Sequence, residues 1–298
     1  MIRGLSRGLS VLLAGMGLSV LLASCAEQDD ETFYFSAIPD QDETRLQERF
    51  SAVAEYLEGE LGVNVEFIPV TSYSAAVTAF RNDEVQLAWF GGLSGVRAQQ
   101  AVDGARALAQ GEEDTRFQTY FIANTETGIE PSDGDPPEAL RDFTFTFGSR
   151  GSTSGRLMPE HFLREHFGEA PDEFFSRVGY SGNHTRTAAL VESGSYDAGA
   201  LNYKVWQTLV DEGEINTDRV QVVWETPEYL DYHWVIRGDV DARFGEGFTE
   251  RVREALLNMD DPDLLQRFPR ERFIPTSNED YEMIRETARE LDLLDDYE

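Results

Sequence analysis

Along the first part of the chain, segments in which apolar residues have the spacing of a helix alternate with segments in which they have the spacing of a strand. Apolar residues recur every three or four positions from Thr44 to Leu61, which predicts an amphipathic helix that Gly62 ends. Apolar runs or strict alternation at 33–38 and 63–67 predict strands on either side of it. The pattern continues with strands at 87–90 and 119–124 and helices that start at Ser72 and Ser94. This order of strand and helix is typical of a mainly parallel sheet with helices on its faces.

A second set of strand and helix patterns follows a polar loop at 131–137. It predicts strands at 143–147, 177–180, 198–201 and 220–224 and helices at 153–167 and 184–192. We therefore expect an α/β protein with two lobes, the first formed by 33–123 plus 226–298 and the second by 124–225. Chain crossings near Asn124 and Glu225 would form the hinge, and the carboxyl ends of both sets of strands would face a cleft that can close.

The amino terminus has the pattern of an export signal. Arg3 and Arg7 precede a short apolar stretch, and small residues lead to Leu22-Ala23-Ser24-Cys25. That ending resembles the bacterial lipobox, in which the cysteine thiol receives a lipid. The prediction is a signal peptide over 1–24 and a lipidated polar tether over 25–32; the alternative is a signal peptide that contains a cysteine by chance. Since Cys25 is the single cysteine, no disulfide is expected.

Charge limits the partners of this chain. The 298 residues contain 56 Asp and Glu against 25 Lys and Arg, a formal net charge of −31. Nucleic acid is excluded as a partner because phosphate backbones need a basic surface. A salt-adapted source is one interpretation of such an acidic chain. If the ligand is an anion, local hydrogen-bond donors must bind it against the overall field.

The loop at 147–155 is the most informative motif. Ser152, Thr153 and Ser154 stand in a row between Gly151 and Gly155, after a predicted strand and at the start of a helix. First-turn amides of a helix lack internal acceptors, and the helix dipole favours negative charge there. Three hydroxyls exceed the one that an ordinary helix cap needs. The loop therefore predicts a site for a small anion.

Three further helix entries would lie on the same cleft edge. His184 follows Ser181-Gly182-Asn183 and could donate a ring N–H to an oxyanion; alone, it is more often a cap or surface residue. Gly91 and Gly92 open a helix and would offer free amides. Tyr73 stands in a first turn, where most tyrosines are packing residues.

These runs together resemble the substrate-binding proteins of phosphate-, phosphonate- and phosphite-type ABC transporters. The resemblance rests on the following segments: Ile38-Pro39-Asp40, Thr71-Ser72-Tyr73, Leu87-Ala88-Trp89-Phe90-Gly91, Gly151-Ser152-Thr153-Ser154-Gly155, Ser181-Gly182-Asn183-His184 and Gly199-Ala200-Leu201-Asn202. It implies a two-lobed type II periplasmic binding protein fold, no enzymatic activity, no cofactor, a monomer and an ABC permease as partner. The ligand contacts it implies are Tyr73, Ser152, Thr153, Ser154 and His184, with Asn202 and Tyr203 next and with Gly91 and Gly92 at the helix entry.

Within the family, the runs 36–45 and 89–95 are most similar to a selenate-binding branch. Family members usually carry Gly-Pro-x-x-Tyr where this chain ends in Gly95, and many carry an acidic residue where it has Tyr203. Selenate and sulfate are fully ionised and only accept hydrogen bonds, so a missing carboxylate favours them. Asp40 and Asp42 remain possible acceptors. We therefore expect an importer component for selenate or a related oxyanion, with phosphonate, phosphite or phosphate as the alternative.

Other classes of function fit less well. A hydrolase would use Ser152 or Ser181 with His184 and Asp197, but no Gly-x-Ser-x-Gly elbow is present. A metal site is not expected because His161 and His166 are five residues apart and the only cysteine is Cys25. A sensory module for a membrane receptor would have the same fold, and a permease partner would distinguish the two.

Overall fold

Two sheets organise the part of the chain that the computed structural model describes, residues 31–295. The predicted signal peptide, Cys25 and all but the last two residues of the predicted tether lie outside these residues. The strands are β1 (Phe33–Ala37), β2 (Val65–Phe67), β3 (Leu87–Phe90), β4 (Arg106–Gly111), β5 (Thr119–Asn124), β6 (Thr144–Phe147), β7 (Arg177–Tyr180), β8 (Ala198–Asn202), β9 (Val220–Glu225), β10 (His233–Ile236) and β11 (Phe273–Pro275).

Helices cover the faces of both sheets. They are α1 (Glu43–Leu61), α2 (Tyr73–Arg81), α3 (Gly92–Ala101), α4 (Met158–Phe167), α5 (Pro171–Phe174), α6 (His184–Glu192), α7 (Tyr203–Asp211), α8 (Val240–Phe244), α9 (Phe248–Leu257), α10 (Pro262–Arg267) and α11 (Glu282–Glu290). Short 3₁₀ turns lie at 112–116, 125–127, 138–140 and 279–281, and a π-helical turn spans Thr153–Leu157. Within residues 31–295, none of the helices has the length and apolar character that crossing a membrane requires.

The first sheet has six strands in the order β11-β4-β10-β3-β1-β2. β1 pairs in parallel with β2 and β3, as the alternating pattern predicts, whereas β10 runs antiparallel between β3 and β4. Its core is strongly aromatic: Trp89 stacks on Tyr232 with ring centroids 5.5 Å apart, and Phe50 stacks on Phe67 at 4.9 Å. The last part of the chain returns to this lobe.

The second sheet has five strands in the order β7-β6-β8-β5-β9. β5 pairs antiparallel with β8 and β9, so it belongs to this sheet. The expected boundary at Asn124 is therefore wrong: the chain crosses before Thr119, because the apolar pattern of β5 does not reveal which sheet it joins. The return crossing follows β9, which ends at Glu225, as expected.

Local capping explains why the helices begin at the cleft. Ser72 accepts the amide of Ala75 at 3.0 Å, and Asn183 accepts the amide of Arg186 at 2.8 Å. Ser152 does the same for the π-helical turn, accepting the amide of Gly155 at 2.9 Å. Each of these caps fixes the direction of a helix whose first residues face the other lobe.

Candidate functional site

Polar side chains from both lobes come together in one buried region between the two sheets, and we call this region the cavity. Five buried polar atoms there have no hydrogen-bond partner among the described residues: Asp40 Oδ1, Tyr73 Oη, Ser154 Oγ, His184 Nε2 and Asp231 Oδ2. Burying a polar group without a partner costs free energy, and native proteins rarely leave several such groups together. The cluster therefore indicates a place where a polar ligand completes the hydrogen bonds.

The hydroxyl loop, the predicted anion site, contributes to this cavity from the second lobe. Ser152, Thr153 and Ser154 are all at most 2% exposed. Thr153 Oγ1 accepts the amide of Leu93, in the other lobe, at 2.9 Å, and its hydroxyl hydrogen stays available. The backbone here forms a π-helical turn in which the amide of Leu157 bonds the carbonyl of Ser152 at 3.0 Å. Such turns are frequent at functional sites.

His184 has a defined tautomer. Its Nδ1 lies 3.2 Å from the backbone nitrogen of Asn202, and because an amide can only donate, Nδ1 must accept. The proton of the neutral ring is therefore on Nε2, the atom without a partner. Burial lowers the pKa of His184 to about 3, so the ring remains neutral near pH 7. His184 thus presents one N–H donor to the cavity, and its donation to an oxyanion stays a prediction.

Tyr73 closes the cavity from the first lobe. Its side chain is 2% exposed, and burial, together with Asp40, raises its pKa well above 10. The hydroxyl therefore keeps its proton. It lies near Ser152 and Tyr232, so donors from the two lobes meet in this region.

Two buried carboxylates also face the cavity. Asp231 Oδ1 accepts the amide of Gly92 at 3.0 Å, and Oδ2 has no partner among the described residues. Burial raises the pKa of Asp231 to about 7. Asp40 Oδ2 accepts the hydroxyl of Tyr232 at 3.0 Å; burial raises the pKa of Asp40, although Arg49 opposes that change. The site thus combines donors with two acceptors.

Sequence reasoning missed Asp231 and Tyr232 for a topological reason. The predicted site residues all follow the carboxyl ends of predicted strands, where parallel strands place their loops. β10 is antiparallel to β3, with His233 opposite Phe90, so the residues that precede β10 reach the same edge. The available signal was the polar pair Asp231-Tyr232 directly before an apolar strand. This signal points to the cleft only when the direction of that strand in the sheet is known.

Asn202 and Tyr203, two further residues of the predicted site, make contacts of different kinds. Asn202 Oδ1 caps α7 by accepting the amide of Lys204 at 2.8 Å, and Asn202 Nδ2 donates to Tyr232 Oη at 3.1 Å. Tyr203 does not join this network: its ring packs edge-on against Phe117, with centroids 4.9 Å apart. Asn202 thus positions the hydroxyl of Tyr232, whereas Tyr203 only packs against a neighbouring ring.

The glycines at the entry of α3 act through close packing. The amide of Gly92 is bonded to Asp231, so our expectation of a free amide there is wrong. A Cβ on Gly91 would lie 3.0 Å from Asp231 Oδ1 and 3.3 Å from Thr153 Oγ1. Gly91 therefore lets the two lobes approach each other at the cavity wall.

The structure shows closed lobes. Besides the bond from Leu93 to Thr153, the amide of His184 donates to the carbonyl of Asp40 at 2.9 Å across the cleft. At the outer edge, Arg45 forms an ion pair with Glu212 and, at 2.6 Å, with Glu214 of the other lobe. We call this group the Arg45 latch.

The geometry does not support a hydrolase or a metal site. A triad histidine needs a carboxylate at Nδ1, but Nδ1 of His184 accepts a backbone amide. Asp197 instead bonds the amide and hydroxyl of Thr144 at 2.8 and 2.7 Å. Within 31–295, no group of His, Cys, Asp and Glu side chains has the arrangement of a metal site.

Comparison with known proteins identifies the family. Residues 35–281 match the family described as "ABC transporter, phosphonate, periplasmic substrate-binding protein". The chain belongs to this family. It is therefore the substrate-binding component of an importer rather than an enzyme.

Individual relatives agree with this assignment. The probable ABC transporter phosphite binding protein PhnD1 of Prochlorococcus marinus (strain MIT 9301) is 41% identical over 261 residues, covering 86% of this chain and 88% of that protein. The phosphonates-binding periplasmic protein of Escherichia coli K12 is 24% identical over 214 residues, 70% of this chain and 62% of that one.

Solved structures confirm the two-lobed type II periplasmic binding protein fold. The structure of Prochlorococcus marinus PhnD1 in complex with methylphosphonate superposes with a TM-score of 0.86 at 39% identity, covering 89% of this chain and all of that one. A binding protein component of an ABC phosphonate transporter from Pseudomonas aeruginosa, 19% identical, has the same fold with a TM-score of 0.75 over 88% of this chain and 86% of that one. The comparisons do not support the selenate branch; they favour the alternative, a phosphite or phosphonate binder.

Proposed function

We propose that this protein captures phosphite or a small phosphonate such as methylphosphonate outside the cytoplasmic membrane and delivers it to an ABC permease. The observation that carries the proposal is the pair of inward-facing acceptor atoms, Asp231 Oδ2 and Asp40 Oδ1, beside the donors of Ser154, Tyr73 and His184. Phosphite and phosphonates keep an ionisable proton near neutral pH, and a carboxylate accepts that proton in a strong hydrogen bond.

The same observation argues against selenate. Its oxygens carry no proton at neutral pH, so an ionised carboxylate in contact with them is repulsive. Our sequence argument for selenate assumed that Tyr203 had removed the acceptor from the pocket. Asp231 supplies an acceptor from a different strand, which removes the premise of that argument.

The tight closure favours a small ligand. Three interlobe hydrogen bonds of 2.9 to 3.1 Å, from Leu93 to Thr153, from His184 to Asp40 and from Asn202 to Tyr232, connect the two lobes around the cavity. A long substituent on the ligand would have to separate these contacts. Phosphite and one-carbon phosphonates fit this limit.

Calorimetric titration with phosphite, methylphosphonate, phosphate, sulfate and selenate tests the proposal. We expect phosphite or methylphosphonate to bind most tightly and to give the largest thermal stabilisation. Ser154→Ala removes an unpartnered donor and should weaken binding roughly tenfold or more, because a hydrogen bond to a charged group contributes ~1.5–3 kcal/mol.

Ser36→Ala is the matched control. Ser36 is also a fully buried serine, but its hydroxyl donates to the carbonyl of Ile68 at 2.7 Å, within the first lobe. This variant should lose stability and keep its affinity. Tighter binding of selenate than of any phosphorus oxyanion, or equal effects of the two substitutions on affinity, would contradict the proposal.

Lipid anchoring through Cys25 is part of the same proposal and rests on the sequence around that residue. The Leu22-Ala23-Ser24-Cys25 ending supports it, and an anchor would keep the protein close to its permease. Cys25→Ser should move the protein from the membrane fraction to the soluble fraction of cells. Retention of the variant on the membrane would argue against acylation.

A further inference from the structure

A pocket of about 210 Å³ lies at the outer edge of the junction between the lobes, and we call it the seam pocket. Ser72 and Tyr73 line it from the first lobe, and Arg150, Gly151 and Tyr180 line it from the second. It shares Tyr73 with the inner cavity, and a Cβ on Gly151 would lie 2.9 Å from the Cβ of Tyr73. Tyr73 thus lies between the seam pocket and the ligand cavity.

The charge at the seam pocket differs from that of the rest of the protein. None of the described residues that line it carries a carboxylate, although Asp and Glu make up 56 of 298 residues. Arg150 is exposed, and its guanidinium lies 3.8 Å from the centroid of the Tyr180 ring, which fixes it at the rim.

Arg150 also differs from several other cations near the cleft. Arg45 pairs with Glu212 and Glu214, Lys204 lies 3.9 Å from Glu113, and Arg156 pairs with Glu160. Arg150 forms no ion pair with any residue in 31–295. It therefore keeps its full charge toward solvent.

We propose that the seam pocket is the entrance for the oxyanion and that Arg150 accelerates its capture. This inference rests on the proposed function, since it requires an anionic ligand. A protein with a net charge of −31 repels an approaching anion, and a local unpaired cation counteracts that field at short range. Arg150 precedes Ser152 by two residues, so an anion held at Arg150 is already beside the hydroxyl loop. Opening of the Gly151–Tyr73 contact then admits it.

Stopped-flow fluorescence, with Trp89 beside the cavity as reporter and phosphite or methylphosphonate as ligand, tests the inference. We expect Arg150→Gln to lower the association rate constant about two- to threefold at about 10 mM salt and to leave dissociation unchanged. The difference should disappear at about 1 M salt, where the Debye length is about 3 Å. Arg150→Lys should restore the rate because it restores the charge.

Arg177→Gln is the matched control. Arg177 is also exposed, lies in the second lobe and stacks on a tyrosine, Tyr196, at 4.5 Å, so its loss changes net charge and ring stacking in the same way. Its association rate should equal that of the unmodified protein. Equal rates for both Gln variants, or an effect of Arg150→Gln confined to dissociation, would overturn the inference and leave the proposed function intact. Absence of saturable binding to any phosphorus oxyanion in the unmodified protein would overturn the proposed function instead.

Discussion

Replacing Asp231 by Asn is the sharpest perturbation that this site offers. The side chain is 1% exposed, and Oδ1 accepts the amide of Gly92 at 3.0 Å while Oδ2 faces the cavity. Asparagine keeps the size and the acceptor for Gly92. It replaces the cavity-facing acceptor by an NH₂ donor. The substitution therefore changes the hydrogen-bonding character of one atom with little change in shape.

The empty protein should become more stable. Burial raises the pKa of Asp231 from 3.8 to about 7, so the folded state holds this proton up to a higher pH than the unfolded state does. Stability is then lost as pH rises from about 4 to about 7, and the ionised carboxylate costs roughly 4 kcal/mol above that range. Asp231→Asn removes this cost. Its free energy of unfolding should exceed that of the unmodified protein at pH 8, and the two should converge near pH 4.

Ligand binding should change in the opposite direction. Loss of a charge-assisted hydrogen bond worth about 1.5–3 kcal/mol weakens phosphite or methylphosphonate roughly 10- to 150-fold at pH 7. Selenate requires a protonated Asp231, so its affinity for the unmodified protein should fall about tenfold per pH unit above pH 7. In Asp231→Asn the part of this dependence that comes from Asp231 should disappear. Asp40 also titrates at the cavity but is present in both proteins, while His184 and Tyr73 stay neutral throughout.

Urea denaturation of the empty protein and calorimetric titration from pH 6 to pH 9 supply both measurements. Asp197→Asn is the control: Asp197 also accepts a backbone amide, that of Thr144 at 2.8 Å, but lies outside the cavity. It should leave ligand selectivity unchanged. If Asp231→Asn lowered stability at pH 8 and left the ratio of phosphite to selenate affinity unchanged, the assignment of Asp231 as the proton acceptor would be refuted.

Two further predictions concern closure and packing. Arg45→Met removes the Arg45 latch between the lobes and should weaken ligand binding up to about fivefold at low salt. The control Arg141→Met breaks an ion pair within the second lobe and should leave ligand binding unchanged. Calorimetric titration in low and high salt compares the two variants. Gly95→Ala should lower the free energy of unfolding by about 1–3 kcal/mol, because its Cβ would clash with the His233 ring. Gly59→Ala has open space around the new Cβ and should raise the free energy of unfolding by about 0.5–1 kcal/mol; urea denaturation measures both.

Much of the architecture could be predicted from periodicity because α/β lobes with parallel strands have a strong local pattern. The helix predicted to end at Gly62 does so with a left-handed glycine at φ 69°, and the strand at 87–90 has the predicted bounds. Sheet membership could not be predicted in the same way. β5 has an ordinary apolar pattern, and its place between β8 and β9 depends on partners far along the chain, such as Ala198 opposite Ala123 and Glu225 opposite Tyr120.

In the candidate site, too, local sequence patterns reveal some residues, and long-range pairing determines the others. The hydroxyls of 152–154 and His184 were predictable because each stands where a parallel strand gives way to a helix, a geometry that local sequence reveals. The family tyrosine missing at position 95 has an explanation that only the fold supplies. His233 from β10 occupies the space beside Gly95 and stacks on Tyr281 with centroids 3.8 Å apart, so a side chain at 95 would point into the core.

The choice between selenate and phosphorus oxyanions illustrates what a local departure from a family pattern can decide. Tyr203 replaces an acidic residue, and counting acceptors along that one loop favours a fully ionised ligand. The acceptors of a closed cleft come from every strand that reaches it, and Asp231 and Asp40 arrive from β10 and β1. Ionisation of a buried carboxylate destabilises the empty protein when one of its oxygens, here Asp231 Oδ2, has no partner, and on the function that we propose the proton of the ligand offsets this cost. On that proposal, Asp231 and Asp40 argue against an oxyanion with no proton at neutral pH more strongly than the change at position 203 argues for one.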